Sequence, residues 1–385
     1  MIELKGITWD HARGYDPMIA TAEAYMGAHP DVKITWQKRS LKEFGDYPIE
    51  KLAEIFDLLV IDHPFVGFAA ASGCLIPLDE YIDDDYLADQ QANSVGKSHL
   101  SYFYGGHQWA LAIDAAAQIS TYRADLLEKV GAEIPHTWDE VLALAHKLKA
   151  GGQYWVGVPF VAIDAFMCLF SIAASLGEEP CAAPDYFLTR SMGREALGIV
   201  IELSKVCHPK SMKWNPIQMF NFISRSDEVV YCPLTFGYSN YGRVGFSDKL
   251  MSFTNIPAPS GTPRGAILGG TGYAIASHCQ HVAVAVDYGK FTASGEVQRG
   301  LYFQGGGQPG HRSAWLDEEV NAASNNFFRD TLETLDNAYL RPRYNGYVPF
   351  QETAWYTVHD FLVQGGEPDD LLDTLDDLYR KSSPL

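Results

Sequence analysis

The run "DLLVID", residues 57–62, constrains the fold more than any other stretch of this chain. Leu58, Leu59, Val60 and Ile61 follow one another with no polar residue between them. A strand with one wet face alternates, whereas an unbroken apolar strand is dry on both faces and belongs inside a sheet covered by helices. The flanking sequence agrees. "LKGITW" reads as a short strand that breaks at Asp10-His11-Ala12-Arg13-Gly14. Pro17 then stands where a first helical turn accepts it, and Ile19, Ala22, Tyr25 and Met26 recur at helical spacing up to Pro30. "VKITWQ" alternates Val32, Ile34 and Trp36 as a half-buried strand. Pro48 opens a helix carrying Ile49, Leu52, Ile55 and Phe56, and a small helix after "DHPF" closes at Gly73. This βαβα rhythm predicts an open parallel sheet with flanking helices.

A second unit of the same kind follows. "ALAID" (110–114) reads as a strand leaving the first lobe. "TWDEVLALAHKLKAGG" begins with a capping box, Thr137 and Glu140, and stops at Gly151-Gly152. "YWVGVPF" and "DEVVYCPL" read as strands, and "AFMCLFSIAASLG" (165–177) as a buried helix. "GGTGYAIAS" reads as a glycine loop before a strand, and the last third as helices over 325–339, 350–364 and 367–381. At 385 residues two domains are expected.

Composition excludes several functions. The net charge, 29 − 48 = −19, repels phosphate backbones and anionic lipid, so nucleic acid is not an expected partner. No stretch approaches the ~18 to 20 apolar residues of a membrane span. The six cysteines, Cys74, Cys168, Cys181, Cys207, Cys232 and Cys279, are scattered without a C-x-x-C, which argues against a zinc ribbon and for buried thiols. The N-terminus shows no charged-then-apolar leader, so either a signal has been removed or the protein stays in the cytoplasm.

"GGTG" (269–272) precedes a strand where a phosphate loop precedes a helix, and no G-K-[ST] follows, so nucleotide binding is not expected. There is no G-x-S-x-G, and paired carboxylates mean little among 48 acids. Asp10-His11 and Asp62-His63 each end a predicted strand, and ligands of open α/β sheets gather at such ends. Adjacent Asp and His do not readily aim at one ion, so no metal is expected there. The aromatic residues near these loops weigh more: Trp9, Phe65, Trp109, Phe160, Tyr238, Tyr241, Trp315 and Tyr344. A pyranose presents an apolar face to a ring and hydroxyls to Asp, Asn, Arg or His. "LYFQGGGQPGHRSAW" (301–315) crowds His311, Arg312 and Trp315 after three glycines, which suggests backbone close to a ligand.

Several segments, in this order, resemble the extracellular solute-binding proteins of bacterial ABC importers, in their carbohydrate-binding branch. They are "AHPDVKITWQ", "DLLVIDHPFVGFAAASGCLIPLDEYI", "ALAIDAAAQISTYRADLLEKVGAEIPHTWDEVLALAHKL", "GGTGYAIAS" and "RPRYNGYVPFQETAWYTVHDFLVQGGEPDDLLDTLDDL". The resemblance implies an α/β, two-lobed, periplasmic-binding-protein-like (type II) fold. Each lobe would be an open mixed sheet flanked by helices, with a helical C-terminal tail. Lobe 1 would comprise 1–112 plus 263–316, and lobe 2 113–262 plus 317–385. A carbohydrate or polyol would lie between hinged lobes and pass to permease membrane subunits, without cofactor, metal or reaction. A monomer in the periplasm or outside the cell is implied. Carried over residue by residue, the ligand-binding positions are Trp9, Asp10, His11, Asp62, His63, Phe65 and Asp114; Phe160, Asp164, Tyr238 and Tyr241; Gly270, Thr271, Gly307, His311, Arg312 and Trp315; and, more weakly, Arg343 and Tyr344. Ala112 stands where the family usually has Pro. The competing readings are a two-lobed enzyme such as a glycosidase, a cytoplasmic small-molecule sensor, and a binder of a carboxylate-type solute.

Overall fold

The computed structural model describes residues 1–40 and 49–382. The chain forms two compact units, each assembled from separate pieces. The first is Met1–Ala116, Gly269–Val320 and Pro342–Asn345; the second is Ala117–Leu268, Asn321–Arg341 and Gly346–Leu385. The strands are β1 (Ile2–Trp9), β2 (Val32–Arg39), β3 (Leu58–Ile61), β4 (Phe103–Tyr104), β5 (His107–Gln108), β6 (Leu111–Tyr122), β7 (Trp155–Val156), β8 (Val229–Phe236), β9 (Ser252–Thr254) and β10 (Leu268–Ile275).

In the first unit β1 lies parallel to β2 along its whole length, from Ile2↔Val32 to Trp9↔Arg39. It is also parallel to β3. β10 pairs antiparallel with β3, from Gly272↔Ile61 to Ile275↔Leu58, so the sheet is mixed. Leu58 to Ile61 are completely buried, as their unbroken apolar run requires. The first helix, Ala12–Ala28, admits Pro17 within its early turns and covers the sheet with Met18, Ala22 and Tyr25. The helix start at Pro48 lies outside the described residues; Ile49–Ala53 is helical. The "GGTG" run is not a loop. Its glycines are part of β10, because the strand passes too close to its neighbours for side chains: a Cβ on Gly272 would sit 2.7 Å from the Tyr102 ring.

In the second unit the C-terminal half of β6 pairs antiparallel with β8 and β9, and β8 lies parallel to β7. The strand expected over "YWVGVPF" shrinks to Trp155–Val156. The strand expected over 110–114 runs on to Tyr122. The helix Ala162–Leu176 is apolar nearly all round and is buried on nearly every side. Phe166 and Phe170 meet edge to face at 4.7 Å, and Phe187 and Phe350 join the same cluster. Around them lie the helices Arg190–Val206, Tyr347–Gln364 and Pro368–Ser382, the last two being the end of the helical C-terminal tail expected from the sequence. Thr137 caps its helix by accepting from the Glu140 N–H at 3.2 Å, while Glu140 accepts from His136 N–H at 2.7 Å. No described helix is long and apolar enough to cross a membrane.

Candidate functional site

Strand register in the first unit sets polar residues along one edge of its sheet. Trp9 is paired with Arg39 and Ile61 with Gly272. One step beyond, where β1 and β3 end, come Asp10, Asp62 and Thr271. Asp10 is exposed, its backbone N–H donates to Arg39 O at 2.7 Å, and its carboxylate meets Lys38 Nζ at 2.6 Å. Lys38 in turn lies over the Tyr15 ring, 5.1 Å from its centroid. Sequence reasoning missed Lys38 and Tyr15: the expected strand stops at Gln37, and strict alternation would set Lys38 on the buried face of Val32, Ile34 and Trp36, whereas the end of β2 leaves it exposed. Asp62 caps the turn His63–Phe65 by accepting from the His63 N–H at 2.8 Å, and it keeps part of its surface in water. The Thr271 hydroxyl is buried with no hydrogen-bond partner among the described residues. Gly270 is in the left-handed region, φ +97°, and a Cβ there would stand 2.4 Å from the Asp114 carbonyl oxygen.

Asp114 itself is held by another group. Arg13 grips it with a fork: Nε donates to Oδ2 at 2.8 Å and Nη2 to Oδ1 at 2.5 Å, with both side chains buried. Burial pushes the Asp114 carboxyl up, and the Arg13 charge opposes that rise. The pair ties the first helix to the start of β6. Tyr302 lies alongside, fully buried, and its hydroxyl is pushed up by burial and by the Asp114 charge.

The three glycines at 305–307 have their explanation here, Gly306 by its left-handed φ of +101° and the other two by close packing. A Cβ on Gly307 would stand 2.2 Å from the Tyr302 ring, and one on Gly305 3.1 Å from Pro17 Cα. The chain after them is then laced along β6. Ala115 N–H donates to Gln308 O at 3.2 Å, Gln308 Nε2 to Ala115 O at 2.8 Å, and Gly310 N–H to Ile113 O at 3.2 Å. Trp315 is completely buried and its indole N–H donates to Pro309 O at 2.7 Å. Trp9 likewise belongs to the core of this unit, packed on the first helix at Gly14. Phe65 is buried in the turn it helps form.

Two of these histidines, His11 and His311, act as helix caps. His11 Nδ1 accepts from the Arg13 N–H at 3.0 Å at the start of the first helix. His311 Nδ1 accepts from the Ser313 N–H at 3.2 Å at the start of Arg312–Trp315. Burial, helped by the nearby Arg13 charge, lowers His11 to about 4; burial also lowers His311. His63 is buried beside the edge of Tyr102, 6.4 Å away. Arg312 Nε donates to Ser94 O at 3.1 Å. Arg343 Nη1 donates to the carbonyls of Leu100, Ser101 and Phe103, closing the C-terminal end of a short helix, with half-buried Tyr344 next to it.

In the second unit Phe160 is fully buried. Tyr241 stacks on Phe220 at 4.7 Å and donates its hydroxyl to Asn221 Oδ1 at 2.9 Å; Tyr238 meets the same Phe220 edge on. Asp164 stands apart. It lies in the first turn of Ala162–Leu176, 3% exposed, with no hydrogen-bond or ion-pair partner among the described residues. Burial pushes its carboxyl well above the usual range. Among the described residues no group of three or more His, Cys, Asp or Glu side chains converges as a metal site requires, and all six cysteines are unbridged.

Comparison with known proteins supplies the context. Residues 8–167 match the family model of the bacterial extracellular solute-binding proteins. A maltotriose-binding protein of Pyrococcus abyssi is 31% identical over 126 residues, 33% of this chain and 26% of that protein. The chain thus aligns with about a quarter of that relative's length. Whole-chain likeness appears among solved structures. The maltose-bound MalE3 of T. maritima shares the fold with a TM-score of 0.85 at 19% identity, over 99% of this chain and 100% of that one. A solute-binding protein of Thermotoga lettingae bound with α-D-tagatose gives 0.83 at 17% identity, over 99% of each chain. One of Agrobacterium radiobacter in complex with ribitol gives 0.79 at 19%, over 99% of this chain and 98% of that one.

Three outcomes follow from this geometry. Gly307→Ala destabilises the chain by about 1–3 kcal/mol through overpacking against Tyr302, read by urea unfolding. Arg13→Ala, which strands a buried carboxylate, costs about 3–5 kcal/mol, while the paired change Arg13→Met with Asp114→Leu costs far less. For His11 the folded pKa is below the unfolded 6.5, so the unfolded chain takes up the proton first. Stability is therefore held above pH 6.5 and lost as pH falls toward about 4. His11→Asn, which keeps a neutral cap acceptor, gives a shallower fall over that window in unfolding free energies measured at successive pH values.

Proposed function

We propose, for a chain whose residues 8–167 belong to the bacterial extracellular solute-binding proteins, that it captures a carbohydrate or polyol and hands it to the membrane subunits of an ABC importer. It makes and breaks no bonds in doing so, and it works outside the cytoplasmic membrane. The observation that carries this reading is the edge row of Asp10, Asp62 and Thr271. Two carboxylates accept hydrogen bonds from hydroxyls, and a buried threonine hydroxyl without a partner is satisfied by one more. Leaving such a group unmatched costs about 1–3 kcal/mol, which is the physical basis for choosing among sugars. The bound sugars and polyols named for the structural relatives, maltose, tagatose and ribitol, share that hydroxyl-rich chemistry.

A thermal-shift panel of sugars, polyols, amino acids and polyamines tests the reading. A matching sugar at a hundred times its dissociation constant adds about 2.7 kcal/mol of stability, and mass analysis returns it intact. If only non-carbohydrates raise the midpoint, or the sugar comes back cleaved, the reading falls. Thr271→Val is expected to weaken the matched sugar about tenfold while leaving the free protein at least as stable, because the hydroxyl it removes bonds to nothing.

A further inference from the structure

Asparagine followed by glycine occurs once in this chain, at Asn345-Gly346. The carbonyl carbon of an asparagine side chain lies within reach of the next residue's backbone nitrogen. Ring closure between them is hindered by a side chain on that next residue and by hydrogen bonds that hold either group. Gly346 has no side chain. Asn345 is exposed, and neither its side-chain amide nor the Gly346 N–H makes a hydrogen bond among the described residues. Other asparagines are held. Asn93 Nδ2 donates to Asp89 Oδ1 at 2.8 Å, and the following Ser94 N–H to Gln91 O at 3.3 Å. Asn337 Nδ2 donates to Glu333 O at 2.9 Å, and the following Ala338 N–H to Leu335 O at 3.2 Å. Asn255 Oδ1 accepts from the Thr334 hydroxyl at 2.8 Å, and the Ile256 N–H donates to Thr334 Oγ1 at 3.2 Å.

Pro342–Asn345 belongs to the first unit and Gly346–Leu385 to the second, so the chain passes from one to the other at the Asn345–Gly346 peptide bond. The chain is fixed on both sides of it. Arg343 is tied to the carbonyls of Leu100, Ser101 and Phe103, and its own carbonyl lies so near Gly67 that a Cβ there would stand 1.8 Å away. Tyr347 and Phe350 are buried in the second unit with ring centroids 5.9 Å apart. Gly346, at φ +115°, precedes the helix Tyr347–Gln364, whose first turn has no side-chain cap and no acidic residue.

We propose that Asn345 is a site of spontaneous deamidation, which converts this crossing into a mixture of aspartyl and isoaspartyl links. The Gly346 nitrogen gives up its proton to base and bonds to Asn345 Cγ. The Cγ–Nδ2 bond breaks, and Nδ2 leaves as ammonia with a proton from water. A five-membered succinimide results, and water opens it at either carbonyl. Attack at Cγ breaks the new N–Cγ bond and leaves an aspartyl residue. Attack at the backbone carbonyl carbon breaks the original peptide bond and leaves the chain running through Cβ and Cγ. The net change is amide plus water to carboxylate plus ammonium, with nothing oxidised or reduced. The new carboxylate stands at the uncapped start of a helix, where its charge is favoured. The isoaspartyl link also adds a methylene to a backbone fixed on both sides, and the short turn must absorb it.

Wild type, Asn345→Gln, Asn93→Gln and Asn345→Asp are kept warm in mildly alkaline buffer and followed by isoelectric focusing, peptide mapping and thermal melting. Wild type and Asn93→Gln are expected to gain an early band one charge more acidic, sooner at higher pH. The peptide spanning Tyr344–Gly346 gains about 1 Da and contains both aspartyl and isoaspartyl forms. Asn345→Gln, whose amide must close a larger ring, loses the early band. Fresh Asn345→Asp melts no lower than wild type, and the isoaspartyl fraction of aged wild type melts below it, since the two share a charge and differ by the methylene. An early band that persists in Asn345→Gln, maps to another amide or contains aspartate alone overturns the deamidation site. An isoaspartyl fraction that melts with Asn345→Asp overturns the fixed crossing. Carbohydrate capture stands or falls separately, because no ligand enters the experiment.

Discussion

The buried fork between Arg13 and Asp114 is the interaction on which the first unit depends. It joins the opening turn of the first helix to the start of a strand 101 residues later in the chain. Tyr302 lies beside it, and its ring leaves no room for a Cβ at Gly307. The segment Gln308–Gly310 is then laced to β6 next to the pair, and Trp315 locks it by donating to Pro309 O. A charged pair is an expensive anchor in a dry interior, and its worth lies in being irreplaceable by one partner alone. Geometry of this kind favours one register of helix against strand over every other.

That anchoring has a consequence for the polar residues around it. His11 and His311 are drawn into capping helix starts as neutral rings. Arg312 and Arg343 donate to backbone carbonyls. Trp9, Phe65 and Trp315 fill the interior. The groups that remain at the edge of the first sheet are the ones whose chemistry is least engaged: Asp10 facing water beside Lys38, Asp62 part-exposed at its turn, and the Thr271 hydroxyl. In the second unit Asp164 is buried with no hydrogen-bond or ion-pair partner among the described residues. A fold that satisfies most of its buried polar groups, and leaves a few unsatisfied, marks where an outside partner is chemically useful.

Much of the architecture was legible because it rests on local patterns. The unbroken "LLVI", the alternation of Val32, Ile34 and Trp36, and the mostly apolar 165–177 each dictate one kind of environment, and each is found there. Boundaries were less legible. The strand "ALAID" runs on to Tyr122 because β8 and β9 pair with its later half, a contact between distant segments. "YWVGVPF" yields two strand residues, since Gly157 and Pro159 follow at once.

By itself the sequence determined that this chain makes α/β units whose strand ends carry Asp, His and aromatic residues, because periodicity and turn chemistry act over a few neighbouring positions. Only the tertiary structure decided which of those residues have work inside the fold. Whether Asp114 meets a guanidinium, or Asp164 meets no donor among the described residues, depends on groups brought together from far along the chain, and no local pattern records that encounter.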